Sequence, residues 1–180
     1  MDRSPCFCLL CSPPADGPAW EERDGRTAAN VSEHGWHVMG VGAGGEAPAD
    51  WAYSIGMWHT LRSPEVCVFG LRIETMTTVV NVAGREIRNG HALEADQVRD
   101  DVLNGFPVTV RPVHTSWYRD FFGAGIDFYQ APPFPVMQLF WPDREGRFPW
   151  DDRAEEYCRA SQPQLWIPKE ETSGPWAALD

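Results

Sequence analysis

The order of strand-like and helix-like patterns along this chain constrains its fold more than any single motif. Apolar runs that predict strands lie at 36–41, 51–57, 65–71, 107–112 and 136–141. Several of them are separated by short loops that contain Gly or Pro, without regular strand–helix–strand alternation. This order predicts an α+β fold in one domain, with a mostly antiparallel central sheet and helices packed against it.

The clearest helix is predicted over residues 73–89, and Gly90 follows its end. Apolar residues recur there at steps of three and four: Ile73, Met76, Val80, Ala83 and Ile87. This stripe is expected to pack on the sheet. Shorter helices are predicted over 20–34, 95–103, 115–122 and 151–160, and residues 58–64 are interpreted as a turn.

Length and composition bound the class of protein. A chain of 180 residues with 43% hydrophobic residues can bury an ordinary core. We expect an irregular arm rich in Cys and Pro over 1–19, the α+β domain over 20–168, and a tail over 169–180.

The net charge of −11 argues against nucleic acid or an anionic membrane as the partner. Neither a membrane helix nor a secretory signal is apparent, so we expect a cytoplasmic protein.

Three of the five cysteines lie close together near the N-terminus. The spacing Cys8-x-x-Cys11 lets two thiolates reach one tetrahedral zinc ion, and Cys6 is a third candidate ligand. A fourth ligand must come from elsewhere, and the candidates are His34, His37 and Cys158. The same three thiols are also compatible with a redox pair or with free thiols on a mobile arm.

His59, Glu65 and Asp143 are the candidates for catalytic chemistry. His59 follows a strand, where histidine serves as a general base or a ligand, or else as a turn residue bonded to backbone. Glu65 opens an apolar strand, so its carboxylate must find a partner. Asp143 follows Pro142, where it either faces a site or closes a turn on itself.

The candidates for ligand binding are polar and aromatic residues near predicted strand ends: Tyr53, Ser54, Asn81, Gln138 and Trp141. Tyr53 and the tryptophans are more typical of a core than of an aromatic cage. Asn81 either pins a neighbouring loop or lines a pocket. Gln138 opens the same alternatives, within a segment 138–150 that we expect to form the wall of the main functional surface.

Signatures of familiar enzymes are absent from the sequence. It lacks a Gly-x-Ser-x-Gly elbow, a phosphate-binding Gly-Lys-Ser/Thr loop, a His-Glu-x-x-His helix and a dinucleotide glycine fingerprint. The loop Gly42-Ala-Gly-Gly45 is not followed by the helix that a phosphate site needs. These absences disfavour a hydrolase, kinase or dehydrogenase of a common kind.

Several separated motifs resemble a bacterial family, domain of unknown function 4262. They are Gly35-Trp-His-Val, Ala52-Tyr-Ser-Ile-Gly-Met-Trp-His, Pro64-Glu-Val-Cys-Val-Phe-Gly-Leu, Asn81 with Gly84, and Gln138-Leu-Phe-Trp-Pro-Asp with Gly146 and Phe148-Pro-Trp. The resemblance covers roughly residues 28–152. It implies a small cytosolic bacterial α+β protein and supplies no catalytic residues. Family members often carry His before Pro-Glu, where this chain has Ser63, and tend to open with paired cysteines like Cys8 and Cys11.

Two functions follow as hypotheses. The first is an accessory module that binds a small molecule or a protein partner. The second is an enzyme that uses His59 with Glu65 or Asp143, with a metal at the cysteines as a further option. Convergence of His59, Asn81, Gln138 and Asp143 on one pocket would favour a ligand site or an enzyme.

Overall fold

A computed structural model describes residues 6–13, 22–44, 47–130 and 134–179. Within these ranges six strands form one sheet: β1 (His37–Val41), β2 (Trp51–Ile55), β3 (Glu65–Phe69), β4 (Val98–Leu103), β5 (Phe106–Pro112) and β6 (Val136–Phe140). Their spatial order is β1-β2-β3-β6-β5-β4. The β3–β6 pair is parallel and the other four pairs are antiparallel. The α+β fold with a mostly antiparallel sheet is therefore confirmed.

Helices flank the sheet in the described part of the chain: α1 (Glu22–His34), α2 (Met57–Leu61), α3 (Ile73–Arg88), α4 (Tyr118–Phe121), α5 (Gly123–Tyr129) and α6 (Glu156–Ala160). Helix α3 packs across β1, β2 and β3. Helices α1 and α5 contact each other, and α5 also contacts α4. None of the helices in the described ranges is both long and apolar enough to span a membrane.

The sheet separates two apolar layers because successive strand residues point to opposite faces. In β2, Trp51, Tyr53 and Ile55 join an aromatic cluster that includes residues of α4, α5 and both chain ends. Ala52 joins the other cluster, beneath α3. All five residues of β2 are buried, which fits a strand covered on both faces.

Helix α3 has the predicted apolar face. Met76, Val80 and Ala83 are fully buried, and Ile73 and Ile87 at the helix ends are partly buried against the same cluster. The face is therefore centred on the middle of the helix. Because three of its residues lose all contact with water, this stripe contributes much of the hydrophobic stabilisation on that side of the sheet.

Two local predictions were wrong. The short helix predicted over 95–103 is largely strand β4, which pairs with β5 around Asn104-Gly105. An Asn-Gly pair between two strands is a strong hairpin signal, and Gly105 has a φ of +82°. The turn predicted over 58–64 contains α2 instead, a helix of five residues.

Both chain ends contribute to the core where the structure describes them. Of the expected arm 1–19, only residues 6–13 are described; Cys8 and Leu9 within them are buried. The Leu9 N–H donates to the Phe128 carbonyl at 2.9 Å. In the expected tail, Trp176 is buried against Phe69 and donates to the Ala160 carbonyl. The described parts of both ends are thus packed on the domain.

Candidate metal centre

Three cysteine thiols surround one imidazole nitrogen at the edge of the domain. The Nδ1 atom of His59 lies 3.8 Å from Cys6 Sγ, 3.3 Å from Cys8 Sγ and 3.4 Å from Cys11 Sγ. The four side chains place their ligand atoms within 4.8 Å of one another. One imidazole lone pair accepts a single S–H donor, so hydrogen bonding alone does not account for three sulfurs at this nitrogen.

These separations match a tetrahedral zinc site. Zinc lies about 2.3 Å from sulfur and about 2.0 Å from imidazole nitrogen, so tetrahedral angles place sulfur and nitrogen about 3.5 Å apart. The three observed distances, 3.3, 3.4 and 3.8 Å, bracket that value. The structure therefore has the donor types and the spacing of a Cys3His site.

Helix α2 presents His59 to the cysteines. The helix begins after Gly56, whose φ of +115° suits glycine. A Cβ atom added to Gly56 would lie 2.6 Å from a methyl group of Val31, so the residue also permits close approach of α1. The first turn of α2 is tied to β3, because Glu65 Oε1 accepts from the N–H groups of Gly56 and Trp58 at 2.9 and 3.0 Å.

Tyr129 of α5 connects Glu65 to α2, the helix that carries His59. Its hydroxyl donates to Glu65 Oε1 and accepts from the N–H groups of Gly56 at 3.0 Å and His59 at 3.4 Å. Burial of Glu65 raises the pKa of its carboxyl, against the lowering effect of four hydrogen bonds. The same burial, with the nearby carboxyl, raises the pKa of Tyr129 far above its ordinary value.

Burial shifts the pKa of three of these side chains, His59, Cys8 and Cys11. Desolvation, and then the charge of Arg62, lower the pKa of His59, which favours the neutral imidazole that metals bind. Desolvation raises the pKa of the Cys8 thiol to about 12 and also raises the pKa of Cys11. A bound cation would oppose this effect, because it stabilises the thiolate.

The fourth side chain beside the three cysteines is His59. The sequence had suggested His34, His37 or Cys158 as the fourth ligand. The His34 side chain is 60% exposed beside Glu33. The Nδ1 atom of His37 lies 2.9 Å from Asn30 Nδ2. The buried Cys158 thiol donates to the Trp141 carbonyl at 3.6 Å. None of these three belongs to the cysteine cluster in the described structure.

The carboxylates expected to assist His59 have other partners. Glu65 is 1% exposed, and the Ser54 hydroxyl donates to its Oε2 at 2.5 Å. Asp143 is buried and accepts from the N–H groups of Glu145 and Arg147 at 2.9 Å and of Glu155 at 3.0 Å. Asp143 therefore closes a loop. It borders a cavity of about 290 Å³ beside Trp141, whereas His59 borders a different cavity.

Two of the residues expected to bind a ligand, Ser54 and Gln138, are buried and hydrogen-bonded to the backbone. Ser54 is buried and accepts from the Val66 N–H at 2.9 Å. Gln138 donates to the Pro163 carbonyl at 2.7 Å and accepts from the Leu165 N–H at 3.3 Å. These contacts use both ends of the Gln138 amide, so it pins the chain after α6 to the sheet.

The other three expected residues divide between core and cleft. Tyr53 is buried and packs edge-on against Phe122. Trp141 is buried and donates from its indole to the Phe69 carbonyl at 2.8 Å. Asn81 accepts from the Trp36 indole at 2.9 Å and also lines a polar cleft. His59, Asn81, Gln138 and Asp143 do not share one described cavity.

The family model described as domain of unknown function (DUF4262) matches residues 30–155, more than half of the chain. The chain belongs to this family. No curated protein and no solved structure matches it.

Only part of the candidate metal centre lies within the residues that match the DUF4262 model. The matched span contains His59 and its supports Glu65 and Tyr129, whereas Cys6, Cys8 and Cys11 precede it. The sequence suggested the cysteines from their spacing and His59 from its position at a strand end. Their combination depends on packing of the arm against the domain, which no local pattern in this DUF4262 sequence encodes.

Proposed function

We propose that this DUF4262 protein is a zinc-containing binding module, in which Cys6, Cys8, Cys11 and His59 hold one zinc ion. The observation that carries the proposal is the approach of all four ligand atoms to within 4.8 Å of one another. Sulfur and imidazole donors suit zinc, and four protein ligands fill its tetrahedral shell. A filled shell is typical of a structural site, since catalytic zinc keeps one position open.

The metal would fasten the N-terminal arm to the domain. About fifty residues separate the three cysteines from His59, so zinc would close a long loop of chain. Other contacts support the same placement: Gln130 Nε2 donates to the carbonyls of Phe7 and Ser12 at 3.2 and 3.1 Å. Zinc binding would add to the free energy of folding, because the unfolded chain lacks a preformed site.

A binding module fits the chemistry better than an enzyme based on His59. A zinc-bound Nδ1 atom has no lone pair left for general-base catalysis. Glu65 and Asp143 are each engaged by at least three hydrogen bonds, so neither is free to assist. Binding without chemistry requires none of these groups.

The surroundings of the site support a small-molecule or protein partner. An open cavity of about 820 Å³ is bordered by Leu10 of the arm together with Gly35, His59 and Thr60 of the domain. Fixing the arm would give this cavity a defined wall. The net charge of −11 disfavours nucleic acid and anionic membranes. Cysteines stay free to bind metal in a reducing environment, which supports a cytoplasmic location.

Metal content of the purified protein tests the proposal. Protein purified without chelator should contain one zinc per chain by elemental analysis. Cys11→Ser and His59→Ala should each lower the zinc content strongly and lower the melting temperature. Cys11 is exposed, so its substitution should leave the core intact when metal is absent.

Matched variants outside the cluster provide the controls. Cys158→Ser changes a buried thiol and His114→Ala an exposed imidazole, and neither residue belongs to a group of described side chains that could hold a metal ion. Both should retain one zinc per chain. The proposal fails if wild-type protein contains far less than one metal per chain, or if the control variants lose zinc as readily as the cluster variants.

A further inference from the structure

A polar cleft of about 580 Å³ lies between α1, β1 and α3, and none of the four metal-site residues lines it. Its walls include Asn30, Trp36, His37, Asn81, Arg85 and Arg88. The three α3 residues are spaced four and three positions apart, so they form one stripe along the helix surface. The fold thus aims polar side chains from three elements into the same space.

Arg88 and Trp36 form a rigid floor. The Arg88 guanidinium lies over the Trp36 ring at 4.5 Å, and its Nη2 donates to the His34 carbonyl at 2.6 Å. Gly35 permits this arrangement, because an added Cβ atom would lie 2.5 Å from Arg88 Nη2. The Trp36 indole is fixed in turn by its hydrogen bond to Asn81 Oδ1. Arg88 is therefore largely committed to holding the cleft together.

Three hydrogen-bond donors remain available to a ligand. Asn81 uses Oδ1 for the indole, which leaves its NH2 group as a donor. Burial, and then the charge of Arg26, lower the pKa of His37 and favour the neutral ring. Asn30 Nδ2 then donates to His37 Nδ1, so the proton lies on Nε2. Among the described residues, nothing accepts a hydrogen bond from the Arg85 guanidinium.

The charge around the cleft is opposite to that of the whole chain. The protein carries a net charge of −11, yet Arg85 and Arg88 both line this cleft. Glu33 is the one carboxylate among the described lining residues, and its 75% exposed side chain lies 3.9 Å from His34 Nε2. An acidic protein that gathers arginines and neutral donors in one concave place favours an anion there.

We propose that this cleft binds a small metabolite through an oxyanion group, either a carboxylate or a phosphate, with Arg85 as the main anchor. The guanidinium offers two parallel N–H donors that match two oxygens of either group. The Asn81 NH2 and the His37 Nε2–H complete the set of donors, and the Trp36 ring borders the remainder of the ligand. This site is distinct from the proposed zinc site, and Arg85 does not contact any of the four zinc ligands.

Titration of the zinc-containing protein with simple oxyanions tests the inference. Sodium phosphate and sodium succinate are added separately to ¹⁵N-labelled protein at constant pH and ionic strength. The Trp36 indole and Arg85 Nε–H resonances should shift in a saturable manner with at least one of them. Arg85→Gln should weaken that binding at least about tenfold, because it removes the bidentate charged contact. Its fold should persist, since no described residue depends on the Arg85 side chain.

The matched control is Arg119→Gln, which removes an exposed arginine of α4 that does not line the cleft. This variant should bind within about twofold of the wild type. Tighter binding of phosphate assigns a phosphorylated ligand, and tighter binding of succinate assigns a carboxylate. The inference is overturned if neither anion gives a saturable shift, or if the two arginine variants weaken binding equally. Because zinc content is measured in the same samples, failure here is distinguishable from failure of the metal site.

Discussion

Glu65 accepts a hydrogen bond at 3.0 Å from the backbone N–H of Trp58, the residue that immediately precedes the candidate zinc ligand His59. The carboxyl therefore caps helix α2 from a neighbouring strand, a role that Gly56 at the start of the helix has no side chain to perform. Glu65, a catalytic candidate in the sequence, thus fixes the helix that carries His59.

Removal of this cap should destabilise the protein. Glu65→Ala removes the acceptor of the Trp58 N–H and of the Ser54 and Tyr129 hydroxyls, all of them buried, and should cost about 3 kcal/mol or more in the free energy of unfolding. Glu65→Gln keeps an oxygen acceptor and should cost less. Urea denaturation at a fixed zinc concentration compares the two. An alanine variant as stable as the wild type would refute the capping role.

The stability of the wild type relative to Glu65→Gln should depend on pH. Burial raises the folded-state pKa of Glu65 above its ordinary 4.5, so the folded protein holds this proton more tightly than the unfolded chain does. The contribution is fully present below the ordinary pKa and is lost as pH rises through the folded-state pKa. The difference in free energy of unfolding, wild type minus variant, should therefore fall with rising pH. A difference that rises with pH contradicts this assignment.

Val80 tests the buried face of α3. Val80→Asp places an unpaired carboxylate in a fully buried position and should lower the melting temperature strongly. Thr78→Asp introduces the same carboxylate on the exposed side of the helix, four residues from Glu74. It should lower the free energy of unfolding by only a few tenths of a kcal/mol. Equal melting temperatures for the two variants are incompatible with the observed packing.

Two helical glycines should respond to alanine in opposite directions. A Cβ atom at Gly84 in α3 would lie 2.6 Å from the Trp36 ring, so Gly84→Ala should destabilise by about 1 kcal/mol despite the better helix propensity of alanine. Gly25 in α1 has nothing within 4 Å of its added Cβ atom. Gly25→Ala should therefore stabilise by about 0.5–1 kcal/mol. Thermal unfolding of both variants checks the sign of each change.

Local patterns explain which elements of the fold were predictable. The α3 stripe and the apolar strands are encoded by residue period, and the structure confirms them. The segment 95–103 was predicted as a helix because its polar and acidic residues resemble those of a solvated helix. Pairing with β5 makes most of it a strand. Helix α2 was missed because its cap, Glu65, lies outside the helix and acts through tertiary contact.

The candidate site was predictable only in parts. Cys8-x-x-Cys11 is a local signal, and the sequence suggested both thiols as ligands. Their proximity to His59 depends on the docking of Leu9 against Phe128 and on the tie between α2 and β3, both of which are long-range contacts. From the sequence, Asn81 was expected either to hold a neighbouring loop or to line a pocket. In the structure its Oδ1 accepts a hydrogen bond from the Trp36 indole, and the residue also lines the polar cleft.

Zinc K-edge X-ray absorption on the wild-type protein, as purified without chelator, tests the central claim most directly. A site built from Cys6, Cys8, Cys11 and His59 should give three sulfur neighbours at about 2.3 Å and one nitrogen at about 2.0 Å. In Cys11→Ser protein loaded with zinc, one sulfur should be lost from this shell. A wild-type spectrum with only nitrogen and oxygen neighbours, or protein without bound zinc, would contradict the account.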